Sequence, residues 1–167
     1  MNITFRTDAS IEIGTGHVMR CLTLADALRQ EGAECHFICR EHPGNLVELI
    51  KSKGHAVTVL PMTSSLPGVV GKGFNHFGSN LAHGHWLGAS QTEDAEQTTD
   101  AMQRYFQSSG NSRTDWLVVD HYALDIRWEQ ELKPYYRKLM VIDDLADRSH
   151  LCDLLLDQTF GRLEDDY

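Results

Sequence analysis

Residues 2–31 read "NITFRTDASIEIGTGHVMRCLTLADALRQE" and decide the fold. The first six of them are rich in β-forming residues, and "GTG" at 14–16 is a glycine turn. From residue 17 to 31, Val18, Cys21, Leu22, Ala25 and Leu28 recur at helical spacing. The stretch therefore predicts a strand, a glycine-rich turn and a helix, with His17 at the junction of turn and helix.

The same alternation continues along the chain. We predict strands in "ECHFICR" and "HAVTVLP" with a helix between them that begins at Pro43 and ends at Gly54. We also predict a helix over "TEDAEQTTDAMQRYF". After it come the buried strands "DWLVVD" and "KLMVIDD", with a helix "IRWEQELKPYY" between them, and then a short strand "CDLLLDQ". Such alternation predicts a Rossmann-like α/β fold, a doubly wound parallel sheet with helices on both faces.

The domain organisation follows from length and composition. A chain of 167 residues has the length of one domain. We expect residues 1–160 to form it, with a long surface loop at about 61–90, where Gly, Ser, Asn and His replace any regular period. The polar tail 161–167 ends without a helix or cap and is expected to begin a linker to a second domain.

Composition narrows the classes of partner. A formal charge of −9 and the lack of a basic stripe argue against nucleic acid, and no apolar run reaches membrane-spanning length. The amino terminus has no leader pattern, so we expect a cytoplasmic protein. The four cysteines have no metal-ligand spacing and are expected to be small buried apolar residues. His76, His83 and His85 lie in the glycine-rich loop without a helical HxxxH pair, so no metal or cofactor is predicted.

In a doubly wound sheet, ligands bind beyond the carboxyl ends of the strands, where the strand order reverses. The segment "GTGH" lies at such an end. It is neither a dinucleotide fingerprint nor a P-loop, because Met19 stands where GxGxxG needs glycine and the Lys-Ser/Thr pair is lacking. The positive end of the helix dipole would keep the His17 ring neutral and able to accept a proton, although a helix cap explains the residue equally well.

A second strand end carries "DHY", residues 120–122. Their polar and aromatic groups suit a ligand-binding or catalytic site. The plain alternative is that Asp120 caps the following turn and Tyr122 packs beside it. After the next strand, Asp143 and Asp144 point to opposite sides, so a helix cap or a salt bridge to Arg148 is favoured over acid–base chemistry. The substrate-binding residues predicted from these strand ends and from the helix are Asp8, Gly14, Gly16, Arg20, Asp120 and His121.

Four blocks of sequence together resemble the amino-terminal half of the UDP-sugar hydrolases of pseudaminic acid biosynthesis, and much of the pattern is shared by spore-coat polysaccharide proteins. These are "FRTDASIEIGTGHVMRCLTLADAL", "HWLGASQTEDAEQT", "LVVDHYALDIRWEQELKP" and "VIDDLADRSHLCDLLLDQTFGR", which together run from Phe5 to Arg162. The resemblance implies the amino-terminal half of a GT-B fold, the two-domain glycosyltransferase type. It also implies that UDP is removed from UDP-2,4-diacetamido-2,4,6-trideoxy-β-L-altropyranose by water without a metal.

By the same resemblance His17 is the general base and Tyr122 lies near the reacting sugar. Most of the UDP site would belong to the carboxyl-terminal half, which this sequence lacks. The stretch "GVVGKGFNHFGSN" does not match the family pattern. Two other functions stay open: glycosyl transfer to an acceptor on the same fold, and a non-catalytic binding module.

Overall fold

The computed structural model describes residues 1–63, 81–110 and 113–167. These residues form one six-stranded sheet in which every pairing is parallel and the strand order is 3-2-1-4-5-6. The strands are β1 Asn2–Thr7, β2 Glu34–Arg40, β3 Ala56–Leu60, β4 Thr114–Asp120, β5 Tyr136–Ile142 and β6 Leu154–Leu156. The predicted doubly wound, Rossmann-like sheet is confirmed.

Helices cover the sheet on both faces and bury two apolar clusters. The helices are α1 Gly16–Gln30, α2 Val47–Ser52, α3 Gln91–Ser109 and α4 Ile126–Leu132. Helices α1 and α2 contribute Val18, Leu22 and Ile50 to a cluster against Phe5 and Phe37. Helices α3 and α4 bury a second cluster on the opposite face, around the wholly buried Trp128. In the described residues no helix is long and apolar enough to cross a membrane.

The second helix is shorter than predicted, because it begins at Val47 and not at Pro43. Gly44 has a φ of +78°, a left-handed conformation that cannot belong to an α-helix. A Cβ at this position would lie 2.8 Å from the Ile11 side chain, and the Pro43 carbonyl accepts a hydrogen bond from Ile11 N–H at 3.0 Å. Residues 43–46 therefore hold the loop after β1 in place instead of extending the helix.

The predicted loop at 61–90 contains regular structure at its end. Residues Gly84–Leu87 form a 3₁₀ helix, and Leu87 is buried in the core. Ser90 then begins α3 with a capping box, in which its side chain and that of Glu93 each bond the other's backbone N–H. Residues 64–80, which include His76 and all of "GVVGKGFNHFGSN", lie outside the described residues. At the other end of α3, the helix extends three residues beyond the predicted end.

The four cysteines, predicted to be small buried apolar residues, are free thiols in the structure. Cys21, Cys35 and Cys39 are buried, and Cys152 is partly buried against the cluster around Trp128. Burial raises the pKa of Cys35 to about 11, so its thiol stays protonated at neutral pH. These side chains pack as small apolar groups.

Strand β1 lies between β2 and β4, so the strand order reverses beside it. In the parallel register, Thr7 at the end of β1 lies opposite Asp120 at the end of β4. The chain leaves β1 toward α1 and leaves β4 toward α4, which lie on opposite faces of the sheet. A crevice therefore opens between these two strand ends, the usual ligand position in open α/β sheets.

His36 makes the stability of this sheet depend on pH. Its ring is buried, stacks on Tyr105 with centroids 4.0 Å apart, and places Nε2 2.8 Å from Thr58 Oγ1. Burial lowers its pKa to about 4 from the usual 6.5. The folded protein therefore keeps the ring neutral in a pH range where the unfolded chain binds a proton.

Since the unfolded chain takes up this proton as pH falls below 6.5, the free energy of unfolding should decrease between pH 7 and pH 4. The share due to His36 is about 2–3 kcal/mol. His36→Phe keeps the ring stacking and removes the titrating group, so its stability should change less over the same range. Urea unfolding of both proteins at pH 7 and pH 4 measures the difference, and parallel pH profiles would contradict this role.

Candidate active site

A tight turn after β1 brings the start of α1 to the crevice. The Ser10 hydroxyl accepts hydrogen bonds from the N–H groups of Glu12 and Ile13, at 3.1 and 2.8 Å. The N–H of Gly14 donates to the Ser10 carbonyl at 2.9 Å, and Gly14 takes a φ of +81°. A Cβ at Gly14 or Gly16 would meet no atom within 4 Å, so a ligand has room to approach the main chain here. Both residues remain predicted binding positions.

His17 is the second residue of α1 and contacts the end of β4. Its Nδ1 lies 2.5 Å from Oδ1 of Asp120, which is wholly buried. Arg20 Nη2 is also 3.3 Å from the same nitrogen, but guanidinium only donates, so the closer carboxylate decides the tautomer. With the proton on Nδ1, Nε2 is an acceptor, and in the described part of the chain it has no hydrogen-bond partner. The ring is 6% exposed and lines the crevice.

Asp120 is held as a carboxylate. Burial alone would raise its pKa, but hydrogen bonds from Arg20 and His17 and their charges lower it below the usual value. Arg20 binds both oxygens, with Nε 2.5 Å from Oδ2 and Nη2 2.7 Å from Oδ1. Asp120 thus orients His17 and does not cap a turn, which corrects the plain alternative from the sequence.

Arg20 also connects this pair to the end of β5. Its Nη1 lies 3.2 Å from Oδ2 of Asp144, and the Tyr122 hydroxyl donates to the other oxygen of that carboxylate. Burial and the Asp144 carboxylate raise the pKa of Tyr122 to about 12, so the phenol is neutral at physiological pH. The Tyr122 ring meets that of His17 edge to face, with centroids 4.5 Å apart. Four predicted site residues, His17, Arg20, Asp120 and Tyr122, therefore lie together with Asp144 across the ends of β1, β4 and β5.

The two adjacent aspartates after β5 have separate roles. Asp143 is buried and forms the predicted salt bridge to Arg148, at 2.7 Å. The Arg148 guanidinium in turn lies 5.7 Å from the centre of the Tyr122 ring. Asp144 instead bonds Arg20 and Tyr122, which line the crevice, and it was not predicted as a site residue. Its place after a buried strand adjacent to β4 was the one available signal.

An aromatic wall closes one side of the crevice. Trp86 lies on the 3₁₀ helix, with its indole plane within 29° of the Tyr122 ring and the centroids 6.0 Å apart. His83 packs on Trp86 at 4.3 Å. The crevice, which we call the cleft, has a volume of about 530 Å³ and is lined by Ile13, Gly16, His17, Met19, Arg20, Thr23, Trp86, Tyr122 and Gln158.

Asp8 and His121 lie in a second, wholly buried polar network beside the cleft. Asp8 Oδ1 accepts from the N–H of Arg40 at 2.6 Å and lies 2.7 Å from Arg6 Nη1. The His121 Nδ1 accepts from Ala123 N–H at 3.1 Å, which leaves the ring proton on Nε2, 3.2 Å from Asp8 Oδ2. Burial lowers the pKa of His121 despite this carboxylate, so the ring is neutral. Neither residue lines the cleft, and their predicted role in substrate binding stays a prediction.

The histidines considered as metal ligands have other partners. His85 Nε2 lies 2.9 Å from Glu12 Oε1, and His83 stacks on Trp86. Within residues 1–63, 81–110 and 113–167, no group of three or more His, Cys, Asp or Glu side chains could hold a metal ion. His76 falls outside these ranges.

Comparison with known proteins adds a relationship at the level of the fold. No family model matches the sequence, and no curated protein matches it. The chain is similar to the crystal structure of MurG from Acinetobacter baumannii, a GT-B enzyme, with a TM-score of 0.53 and 13% identity over 84% of this chain. The likeness establishes the fold. This chain spans about a third, 34%, of the length of that MurG chain.

Proposed function

We propose that this chain supplies the general base and the sugar-binding side of a hydrolase that splits a UDP-activated diacetamido-trideoxy sugar into free sugar and UDP. The observation that carries the proposal is the His17–Asp120 pair at the reversal of strand order, with Nε2 of His17 free to accept a proton. The four sequence blocks that resemble the hydrolases of pseudaminic acid biosynthesis support the substrate class. The fold similarity to MurG, a nucleotide-sugar glycosyltransferase, is consistent with it.

The reaction follows from the hydrogen bonds of this pair. A water molecule attacks the anomeric carbon and passes a proton to Nε2 of His17. The bond from that carbon to the diphosphate oxygen breaks, and its electron pair leaves with UDP. Asp120 stabilises the imidazolium that forms. Backbone N–H groups at the helix start offer hydrogen bonds to the departing diphosphate.

A second Rossmann-like domain would complete the site. In this proposal it follows residue 160, with 161–167 as the start of the linker, and it holds most of the UDP. The match to about a third of the longer MurG chain supports such an arrangement. The chain described here would then hold the sugar and the base, and would turn over little substrate alone.

The test is to follow which bond breaks and where the sugar goes. With the full-length gene product in H₂¹⁸O, we expect UDP and free sugar to form without any added acceptor. Attack at carbon leaves the UDP unlabelled by mass spectrometry, whereas attack at phosphorus would place ¹⁸O in its phosphate. Labelled UDP would refute the proposed chemistry.

Glycosyl transfer is the second candidate, because the structural neighbour MurG is a glycosyltransferase. The two reactions differ in their need for an acceptor. Sugar release that appears only when a hydroxyl acceptor is added, with formation of a glycoside, would favour transfer. Tight binding of UDP to the 167-residue chain alone, without turnover in the full-length protein, would favour a non-catalytic module.

A further inference from the structure

Trp86 takes no part in the chemistry above, yet it separates two hollows at the carboxyl ends of the strands. One is the cleft that contains His17. The other, the side hollow, has a volume of about 330 Å³ and is lined by Ser10, Ile11, Glu12, Ile13, His42, Pro43, Met62, His85, Trp86 and Gly88. Trp86 and Ile13 line both hollows. A half-buried indole between a candidate base and a second hollow needs an explanation that core packing does not give.

The fold holds this indole in a fixed position. The backbone N–H of Trp86 donates to the His83 carbonyl at 2.9 Å, and the next residue, Leu87, is 1% exposed in the core. Gly88 follows with a φ of +69°, where a Cβ would lie 2.9 Å from both His42 and Met62. Only glycine fits this crowded left-handed position. The 3₁₀ helix is thus anchored on both sides of Trp86, and the ring is preorganised.

The orientation of the ring continues the surface that starts at the base. His17 meets Tyr122 at 4.5 Å, and the Tyr122 ring is nearly parallel to the indole. A sugar whose anomeric carbon lies near His17 Nε2 has its pyranose ring beside Tyr122 and Trp86. The face of an indole carries negative charge density, and the C–H groups of a pyranose face are its complement. Deoxygenated and N-acylated sugars expose fewer hydroxyl groups on that face, so they lose less hydration on stacking.

We propose that Trp86 is the specificity-determining residue of this site: its indole stacks on the pyranose face of the UDP-sugar and favours sugars with an apolar face. The proposal rests on the proposed function for the identity of the substrate. Loss of the indole would also merge the cleft with the side hollow, so the sugar would lose a wall that restrains its position. Sugar affinity should therefore depend on an aromatic ring at residue 86, and not only on an apolar one.

The test uses saturation-transfer NMR, which detects weak binding without turnover. The full chain is mixed in turn with UDP-N-acetylglucosamine, UDP-glucose and UDP, and the aromatic protons of the protein are irradiated. We expect saturation at the pyranose protons, stronger for the N-acetylated sugar. It should persist in Trp86→Phe and fall by at least about five-fold in Trp86→Leu. Trp116→Leu, at the opposite end of β4, is the matched control and should behave as the wild type.

Kinetics and fluorescence supply readouts that a merely structural role would not move. In the full-length enzyme, Trp86→Leu should raise KM by about 10- to 100-fold with a smaller change in kcat, and Trp86→Phe should recover most of the loss. Sugar binding should change tryptophan emission in the wild type and not in Trp86→Phe, which retains Trp116 and Trp128. Absence of saturation at the pyranose protons, or an equal KM in Trp86→Leu and the wild type, overturns the proposal.

These outcomes separate the stacking from the reaction. If hydrolysis fails but the saturation pattern depends on residue 86 as described, the proposed function is wrong and the sugar platform stands. If hydrolysis proceeds while the pyranose protons receive no saturation, the stacking on Trp86 is wrong and the proposed function stands. Should Trp86→Leu fail to fold, tryptophan fluorescence tests the proposal instead: the emission change on sugar binding must be present in the wild type and lost in Trp86→Phe.

Discussion

His17→Ala is expected to lower kcat for UDP release by about 10²- to 10⁴-fold, the range of a lost general base. Removal of the imidazole leaves Asp120 still paired with Arg20, whose nitrogens lie 2.5 and 2.7 Å from its carboxylate oxygens. The melting temperature should therefore change little. Steady-state UDP release measures the loss, and added imidazole, which fits the vacated space, should restore part of the rate.

A matched control comes from the other end of the sheet. His55 precedes β3, is 5% exposed and pairs with Asp26 at 2.9 Å, far from the cleft. His55→Gln should keep the turnover of the wild type. Turnover of His17→Ala within a few-fold of the wild type would rule out the assigned base, whatever the behaviour of the control.

Asp120→Asn tests the orienting carboxylate of the same pair. The neutral amide no longer stabilises the imidazolium or fixes the tautomer, so kcat should again decrease by about 10²- to 10⁴-fold. Since both residues act on one proton transfer, the double variant should be little worse than either single variant. Asp115→Asn on the same strand, at its amino end, is the control. Fully multiplicative losses would mean that Asp120 does not act through His17.

The largest effect on stability is expected for Asp94→Asn, about 3–5 kcal/mol in the free energy of unfolding. Asp94 lies in the first turns of α3, wholly buried, between two arginines that come from neighbouring strands. Arg6 reaches it with Nε at 3.1 Å and Nη2 at 2.6 Å, and Arg40 with Nη2 at 2.7 Å. The indole N–H of Trp128 donates to it at 3.0 Å. The amide would leave the buried Arg40 guanidinium without a carboxylate, and Arg6 with only that of Asp8.

Chemical denaturation of Asp94→Asn at neutral pH measures this loss. Asp100→Asn lies on the same helix with 64% of its side chain exposed, and should change stability by less than about 0.5 kcal/mol. A loss below about 1 kcal/mol for Asp94→Asn would show that the two arginines are solvated or re-paired. The free energies of unfolding of the wild type and Asp100→Asn should therefore be nearly equal, and that of Asp94→Asn should be well below both.

The same carboxylate predicts a pH dependence with a definite sign. Burial would raise the pKa of Asp94, but the charges of Arg6 and Arg40 and their hydrogen bonds lower it below 3.8. A carboxylate whose pKa is lower in the folded state stabilises the fold above its unfolded pKa, and this stabilisation is lost as pH falls through the folded pKa. The difference in the free energy of unfolding between the wild type and Asp94→Asn should therefore be largest above about pH 5 and should decrease below pH 3.8.

Local pattern was enough to predict the sheet and the position of His17, because the alternation of apolar strands and helices is a property of short segments. The left-handed Gly44 that shortens α2 depends on packing against Ile11, a contact that no periodicity reveals. Asp144 and Trp86 were missed as site residues for a similar reason. Asp144 is 124 positions from its partner Arg20, and Trp86 belongs to the cleft only through its contact with Tyr122.

The strand order has a consequence for how the protein gains activity during folding. His17 and Asp120 are 103 positions apart and meet only because β4 pairs with β1. The first three strands can pair through short crossovers, whereas β4 must close a much longer loop, and contacts of that kind form slowly. A partly folded chain would thus hold the histidine without the carboxylate that orients it. In refolding experiments, recovery of turnover should therefore lag behind helix formation and follow the docking of β4.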